Sequence, residues 1–265
     1  KTELKKILSV SEEVGIEFID TAQAYGDSEI RLGALCNVGR FKIVTKIDVD
    51  LEETCVTKSV NSLVSQSCKR LNQSRLYAVM LHRPEVLLGE YGSLIVKELL
   101  LLKQQNIISK IGVSIYSPVI LSKILKLIHL DIVQAPFNIF DRQILTSGWS
   151  AKLKGEGIEI HTRSAFLQGL LLMQPSNLPI YFKNNWSGLF NSWYEFLKSN
   201  DANALHVALN FVLKQDWIDK VVVGVDSASQ LGSLAKIEKS SVFTDFPQLG
   251  CNDTKLINPS KWNLT

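Results

Sequence analysis

The sequence predicts an α/β protein, a (β/α)8 TIM barrel in which seven of the eight strands can be identified. Short apolar segments alternate with helical patterns along the 265 residues, and most of these segments are apolar at nearly every position. Strands of that composition are typical of parallel sheets covered by helices on the faces. An open doubly wound sheet has less support, because the chain contains neither a GxGxxG nor a GxxxxGK[ST] phosphate motif.

Strands are predicted wherever an apolar run is bounded by polar or turn-forming residues. In chain order they cover residues 16–20, 41–46, 76–82, 110–114, 132–137, 158–163 and 220–224. Successive strands begin roughly 22 to 35 residues apart until the last gap, which suits a strand–helix–strand unit. The alternation therefore favours a barrel of repeated βα units.

Helices are predicted from apolar periodicity and from their start signals. Residues 1–14 are predicted to form the first outer helix, with Leu4, Ile7, Leu8 and Val14 at helical spacing. Further helices are expected to start at Ser117-Pro118 and at Asp27. The eighth strand would then lie immediately before Lys1, so the chain is expected to be a fragment that lacks its first barrel strand.

The chain is predicted to be one barrel domain over residues 1–265 with two additions. Residues 172–200 contain Pro175 and Pro179 and show little periodicity, which predicts an inserted loop. Residues 246–265 are predicted to form a C-terminal tail. Substrate specificity would reside in these two segments and in the loop of the first strand.

Composition argues against several classes of protein. Lys plus Arg number 29 and Asp plus Glu 26, without a dense basic block, so no nucleic-acid partner is expected. The longest apolar stretches, such as residues 93–102, fall short of the roughly 18 residues of a membrane helix, so no membrane span is expected. The four cysteines have no CxxC spacing, which indicates neither a zinc site nor a disulfide framework and favours a cytoplasmic location.

Polar residues end three neighbouring predicted strands, at the edge where a (β/α)8 barrel carries its active site. These residues are Asp20, Lys46 and His82, and Tyr25 follows Asp20 by five positions. A single polar residue at a strand end is more often a turn residue, but four complementary types at neighbouring ends favour a catalytic site. Lysine can pair with aspartate and stabilise a phenolate, and histidine can polarise a carbonyl. The set suits addition to a C=O group.

Residues 18–29, Phe-Ile-Asp-Thr-Ala-Gln-Ala-Tyr-Gly-Asp-Ser-Glu, resemble the signature of the aldo-keto reductases. The resemblance extends along essentially the whole chain. Residues 44–46 are similar to the family's lysine strand, and residues 81–84 are similar to its histidine strand. Residues 110–114 resemble the strand that ends near the nicotinamide, and residues 132–134 resemble the glutamine strand. Residues 164–171 resemble the family's Ser-Pro-Leu-x-x-Gly-x-Leu loop.

This resemblance implies an NAD(P)H-dependent reductase that acts on a small-molecule carbonyl substrate without metal or flavin. It implies that Tyr25 is the general acid, that Lys46 and Asp20 tune it, and that His82 orients and polarises the carbonyl. Ser114 and Gln134 would hold the carboxamide of the nicotinamide. The implied cofactor-binding residues are Ser114, Gln134, Arg163, Ser164, Phe166, Gly224, Ser227 and Gln230.

Three departures from the family pattern concern the cofactor. Ile115 stands where the family usually has Asn, so one carboxamide contact is expected to be lost. Arg163 stands where many members stack Tyr or Trp, and it could stack or contact a phosphate. Some family members bind the 2′-phosphate of NADPH with a Lys-Ser pair and a later Arg. This chain has Gly224-Val225 and Gln230 at those positions, and NADP(H) is still favoured over NAD(H). Residues 227–230 suit a plain helix cap equally well.

Two other functions were compared with carbonyl reduction. A nucleotide-binding regulatory or sensor protein with little turnover is suggested by Ile115 and Gly224, but all four catalytic residue types are present. A non-redox barrel enzyme such as a lyase would need a metal-ligand cluster or a phosphate loop, and the sequence contains neither pattern. Carbonyl reduction is therefore the preferred prediction.

Overall fold

The structure is a computed structural model that describes residues 2–35, 38–49, 60–237 and 245–263. Within them lie seven strands, β1 (Phe18–Asp20), β2 (Lys42–Ile47), β3 (Leu76–Leu81), β4 (Ile108–Ser114), β5 (Ile132–Pro136), β6 (Glu159–Arg163) and β7 (Lys220–Val221). They are ordered in the sheet as in the chain, and each pairing described is parallel. All seven predicted strands are confirmed, with ends that differ by up to three residues.

Helices alternate with these strands. They are α1 (Thr2–Glu13), α2 (Ser28–Gly33), α3 (Val60–Leu71), α4 (Gly92–Gln104), α5 (Leu121–Ile124), α6 (Gln143–Thr146), α7 (Trp149–Gly155), α8 (Ile180–Ser199), α9 (Ala204–Leu213), α10 (Ala228–Ala235) and α11 (Thr254–Ile257). Single 3-10 turns cover Val38–Arg40, Pro84–Leu88, Pro118–Ile120, Leu170–Leu172, Pro175–Asn177 and Pro259–Lys261. The predicted first helix is confirmed by α1. The start at Ser117-Pro118 is also confirmed, as a 3-10 turn that leads into α5.

The chain divides into two compact units. The first comprises Lys1–Gln134, Gly157–Glu159 and Gly224–Ala235, and the second comprises Ala135–Glu156, Ile160–Val223 and Lys236–Thr265. The single domain over residues 1–265 stays a prediction. No helix among the described residues is both long and apolar enough to cross a bilayer. Cys68 and Cys251 are free thiols, whereas Cys36 and Cys55 lie outside the described residues.

In the first unit, the register of the pairing places the carboxyl ends of neighbouring strands beside one another. Asp20 pairs with Val44, Lys46 with Met80, and Ser114 with Gln134. A cluster of Val44, Ala78, Met80 and Ile132 is packed against Phe18 and Tyr77. Burial of such side chains stabilises the fold by about 1.5–3 kcal/mol each. The polar residues at the strand ends therefore lie next to a packed apolar cluster.

The close packing of α2 against the end of α3 depends on Gly33. A Cβ atom at this position would lie 2.0 Å from the carbonyl oxygen of Arg70, a backbone atom that cannot rotate away. We expect Gly33→Ala to lower the free energy of unfolding by about 3 kcal/mol. Chemical denaturation measures this change. The control is Gly232→Ala in α10, where no atom of the residues that the structure describes lies within 4 Å of an added Cβ. An equal loss in both variants would contradict the packing explanation.

The second unit corrects one prediction. Residues 172–200 were predicted to be an inserted loop, but most of them form α8 and two 3-10 turns. Phe182, Phe190 and Trp193 are buried. Trp186 has φ −137°, which is not helical, so α8 is kinked there, and Phe190 and Trp193, three residues apart, lie on one face of the segment after the kink. Trp193 also donates a hydrogen bond of 3.0 Å from Nε1 to the carbonyl oxygen of Leu171. Tertiary packing of these aromatic side chains stabilises a helix whose sequence has low intrinsic propensity.

The predicted tail, described from 246 to 263, is docked within the second unit. Arg142 donates hydrogen bonds to the carbonyl oxygen of Pro247 at 2.5 Å and to Oε1 of Gln248 at 3.0 Å. Farther along, the ring of Trp262 meets that of Phe182 edge-on, with centroids 5.0 Å apart. The tail therefore contributes to the core of this unit.

Candidate functional site

The four predicted catalytic residues belong to the first unit and lie at the carboxyl ends of its strands. Asp20 is the last residue of β1, Lys46 lies near the end of β2, and His82 directly follows β3. The backbone N–H of His82 donates to the carbonyl oxygen of Ile47 at 2.9 Å, which extends the pairing of β2 and β3 by one residue. Tyr25 lies in the turn between β1 and α2. The structure thus brings together residues that are 62 positions apart in sequence.

Lys46 is the buried centre of this cluster. Its side chain is 1% exposed, and its Nζ atom donates hydrogen bonds to Oδ1 of Asp20 and, at 3.1 Å, to the carbonyl oxygen of Thr21. The second oxygen of Asp20 accepts a hydrogen bond of 2.7 Å from Nε2 of Gln134. Both carboxylate oxygens are therefore engaged, and a buried charge pair held by additional hydrogen bonds has a fixed geometry.

Tyr25 lies above this pair and is 48% exposed. The Nζ atom of Lys46 is 5.2 Å from the centroid of the Tyr25 ring. The rings of Tyr25 and His82 are nearly perpendicular, with centroids 5.9 Å apart. An exposed phenol beside an ammonium and an imidazole can pass a proton to an oxygen atom that arrives from solvent.

The turn that carries Tyr25 is fixed by local hydrogen bonds. The backbone N–H of Tyr25 donates to the carbonyl oxygen of Ala22 at 3.1 Å, and the hydroxyls of Thr21 and Ser28 are 2.9 Å apart. Gly26 has φ +58°, a left-handed conformation that glycine adopts without strain. This turn keeps the tyrosine near the lysine without burying its ring.

Behind the site lies a contact that sequence reasoning missed. Glu29, in the first turn of α2, is buried and accepts a hydrogen bond of 2.7 Å from Oγ1 of Thr45. Arg70 approaches its other oxygen at 3.4 Å. Because Thr45 immediately precedes Lys46 on β2, this contact ties α2 to the strand of the lysine. The only signal in the sequence is the Glu that ends the signature segment.

Ser114 and Gln134 are the predicted carboxamide-binding residues. Both are buried polar residues and face each other across β4 and β5. The amide nitrogen of Gln134 donates to Asp20, so its Oε1 is the atom that can accept a hydrogen bond from a ligand amide. Ile115, which replaces the family's Asn, is buried and apolar. The buried polar pair beside the catalytic cluster fits a nicotinamide group.

Three further predicted cofactor residues, Gly224, Ser227 and Gln230, also belong to the first unit. Oγ of Ser227 accepts the backbone N–H of Gln230 at 3.1 Å, so this serine does cap α10. Oε1 of Gln230 accepts the backbone N–H of Asp226 at 2.8 Å. Among the described residues, no atom lies within 4 Å of a Cβ added at Gly224. The loop fits a bound nucleotide as well as a plain cap.

Arg163, Ser164 and Phe166 belong to the second unit. Arg163 ends β6 and contacts Oγ of Ser164 at 3.3 Å. Ser164 has φ +61° and is held by Asn138, whose side-chain amide donates to its carbonyl oxygen at 3.0 Å. Such strained turns are concentrated at functional sites. The hydrogen bond from Asn138 therefore helps to fix the backbone of this segment, and its cofactor role stays a prediction.

Asp141 is a buried carboxyl group that interacts electrostatically with Arg163. Burial raises the pKa of Asp141 to about 7, against the opposing effects of the Gln143 backbone N–H and of Arg163. The pKa of Asp141 is higher in the folded than in the unfolded protein. Its contribution to the free energy of unfolding is therefore fully present below about pH 4, and up to about 4 kcal/mol of it is lost as the pH rises through 7. We expect Asp141→Asn to raise Tm more at pH 8 than at pH 5. Thermal melts at both values measure this, and equal shifts would contradict it.

Among the residues that the structure describes, no group of three or more His, Cys, Asp or Glu side chains could hold a metal ion. The polar groups at the strand ends are instead an acid–base set and hydrogen-bond donors and acceptors. This arrangement fits a bound organic cofactor and a substrate oxygen.

Comparison with known proteins identifies the family. The Aldo/keto reductase family profile matches residues 1–245. A holo-form aldo-keto reductase from Bacillus halodurans superposes with a TM-score of 0.74 at 20% identity, covering 91% of this chain and 83% of that one. A glycerol dehydrogenase from Gluconobacter oxydans gives 0.71 at 21% identity, covering 88% and 79%.

No curated protein sequence matched the chain. The structural matches show the fold alone at this level of identity, and they agree with the barrel class, with one strand missing among the described residues. The family profile spans nearly the whole sequence and includes Asp20, Tyr25, Lys46 and His82 and the loop before α10. The chain therefore belongs to the aldo-keto reductase family.

Proposed function

We propose that this protein is an NAD(P)H-dependent oxidoreductase that reduces the carbonyl of an aldehyde, ketone or sugar-like substrate. The observation that carries the proposal is the cluster in which Lys46 and His82 flank the exposed ring of Tyr25. Family membership supports carbonyl chemistry in general terms. The cluster supplies the phenol, the ammonium and the imidazole that we assign to proton transfer.

Tyr25 is the proposed proton donor to the substrate oxygen. Transfer of its proton leaves a phenolate, whose negative charge is stabilised by the Lys46 ammonium. Asp20 and the carbonyl oxygen of Thr21 hold that ammonium in place, so little reorganisation is needed when the charge forms. The ring of His82, whose centroid is 5.9 Å from that of Tyr25, can donate a hydrogen bond to the same substrate oxygen.

The bound nicotinamide dinucleotide would supply the hydride. Ser114 and Oε1 of Gln134 would bind its carboxamide, which fixes the ring beside Tyr25. The other proposed contacts are Arg163, Ser164, Phe166, Gly224, Ser227 and Gln230. Neither a metal nor a flavin is part of this proposal. The family resemblance favours NADP(H) over NAD(H).

The test is a set of NADH and NADPH oxidation assays with aldehydes, ketones and sugars. Glycerol is included in the oxidising direction, because one structural relative is a glycerol dehydrogenase. Turnover of at least one carbonyl substrate is expected. Cofactor binding without turnover would favour the regulatory or sensor function, and absence of binding would contradict both. Cysteine usage still favours a cytoplasmic location.

A further inference from the structure

The first turn of α10 accepts a carboxylate from a distant part of the chain. The backbone N–H of Ala228 donates a hydrogen bond of 2.9 Å to Oε1 of Glu3, which lies in the first turn of α1. Helices α1 and α10 pack against each other within the first unit. Ala228 lies between Ser227 and Gln230, two of the proposed cofactor contacts. Glu3 therefore places a negative charge inside this part of the proposed cofactor site.

Among the residues that the structure describes, two further charges bear on this carboxylate. Asp226 lies two residues before Ala228 and adds a second, exposed carboxylate. Lys6 approaches Glu3 at 3.9 Å, but both side chains are about half exposed, so this ion pair is weak. The N–H groups at a helix N-terminus and the helix dipole ordinarily attract anions. Here one of those N–H groups is already bound to a side chain of the protein.

We propose that Glu3 is a specificity-determining residue that disfavours the 2′-phosphate of NADP(H) and so shifts the preference to NAD(H). This inference rests on the proposed function, which places the nucleotide beside Gly224, Ser227 and Gln230. The two cofactors differ only in that phosphate, which a carboxylate in the same turn repels. The family resemblance favours NADP(H), and the contact of Glu3 cannot be seen in the local sequence, because Glu3 is 225 positions from Ala228.

Glu3→Gln tests this proposal, because glutamine keeps the hydrogen-bond acceptor and removes only the charge. Fluorescence titration gives Kd for NADH and for NADPH with the wild-type protein and the variant. We expect NADPH to bind about tenfold more tightly to the variant, the effect of a carboxylate about 6 Å from a phosphate dianion in water. NADH affinity should change less than twofold, and high salt should reduce the difference.

The control is Glu12→Gln on the same helix, about 13 Å along its axis, where the side chain pairs with Arg40. This variant should leave the ratio of the two Kd values unchanged. If both cofactors bind and Glu3→Gln leaves the ratio unchanged, the inference is wrong and the proposed function stands. If neither cofactor binds the wild-type protein, the proposed function itself fails.

Discussion

Tyr25→Phe should lower kcat for carbonyl reduction by about 10³-fold while leaving the Kd of the nicotinamide cofactor nearly unchanged. A positioned general acid contributes about 10²–10⁴ to the rate, and phenylalanine removes only the hydroxyl. The ring contacts with Lys46 and His82 are retained, so the fold of the site should persist. Steady-state kinetics and cofactor titration measure the two quantities on the same preparation.

Tyr77→Phe is the matched control. Tyr77 lies near the amino end of β3, about 16 Å along the strand from His82, and its hydroxyl donates a hydrogen bond to the carboxylate of Glu159. This variant should leave kcat unchanged. If Tyr25→Phe retained most of the turnover, Tyr25 could not be the proton donor. If Tyr25→Phe abolished cofactor binding as well as turnover, the role of Tyr25 would be in binding rather than in proton transfer.

The strands could be predicted because each is a local pattern of buried side chains. Val44 and Val79, for example, are both fully covered, as expected for a sheet with packed faces. Strand ends were less accurate: the last strand was predicted over residues 220–224 but pairs only at Lys220–Val221. Pairing depends on a neighbouring strand that is distant in sequence, and a local pattern does not contain that information.

Two features could not be predicted for a similar reason. Helix α8 depends on tertiary burial of aromatic side chains such as Phe182, whose intrinsic helix propensity is low. The hydrogen bond from Thr45 to Glu29 joins two elements, and nothing in the local sequence distinguishes a buried Glu from a solvated one at a helix start. By contrast, Asp20, Tyr25, Lys46 and His82 could be predicted, because strand ends in a parallel barrel meet at one edge.

The ion pair between Asp20 and Lys46 should affect activity and stability in different ways. Asp20→Asn leaves the Lys46 ammonium buried without its counter-charge, and breaking a buried pair in this way costs about 3–5 kcal/mol. The same change removes the group that orients the ammonium below Tyr25. We expect a strong decrease in both kcat and the free energy of unfolding, measured by steady-state kinetics and chemical denaturation.

A double variant, Asp20→Asn with Lys46→Met, separates the two effects. It removes both buried charges, so the free energy of unfolding should recover much of the loss, because apolar replacement of a buried pair is often neutral or stabilising. Activity should remain low, since no ammonium is left to stabilise the Tyr25 phenolate. The exposed pair of Lys42 and Glu17, 2.8 Å apart, provides the control; Glu17→Gln should cost no more than about 1 kcal/mol.

The contrast between the single and double variants distinguishes a catalytic ion pair from a structural one. A pair kept for stability would leave the double variant as unstable as the single one. Recovery of stability without recovery of activity would instead mean that the fold tolerates the cost of burying two charges because the proton donor requires them. Recovery of activity in the double variant would refute the role proposed for Lys46.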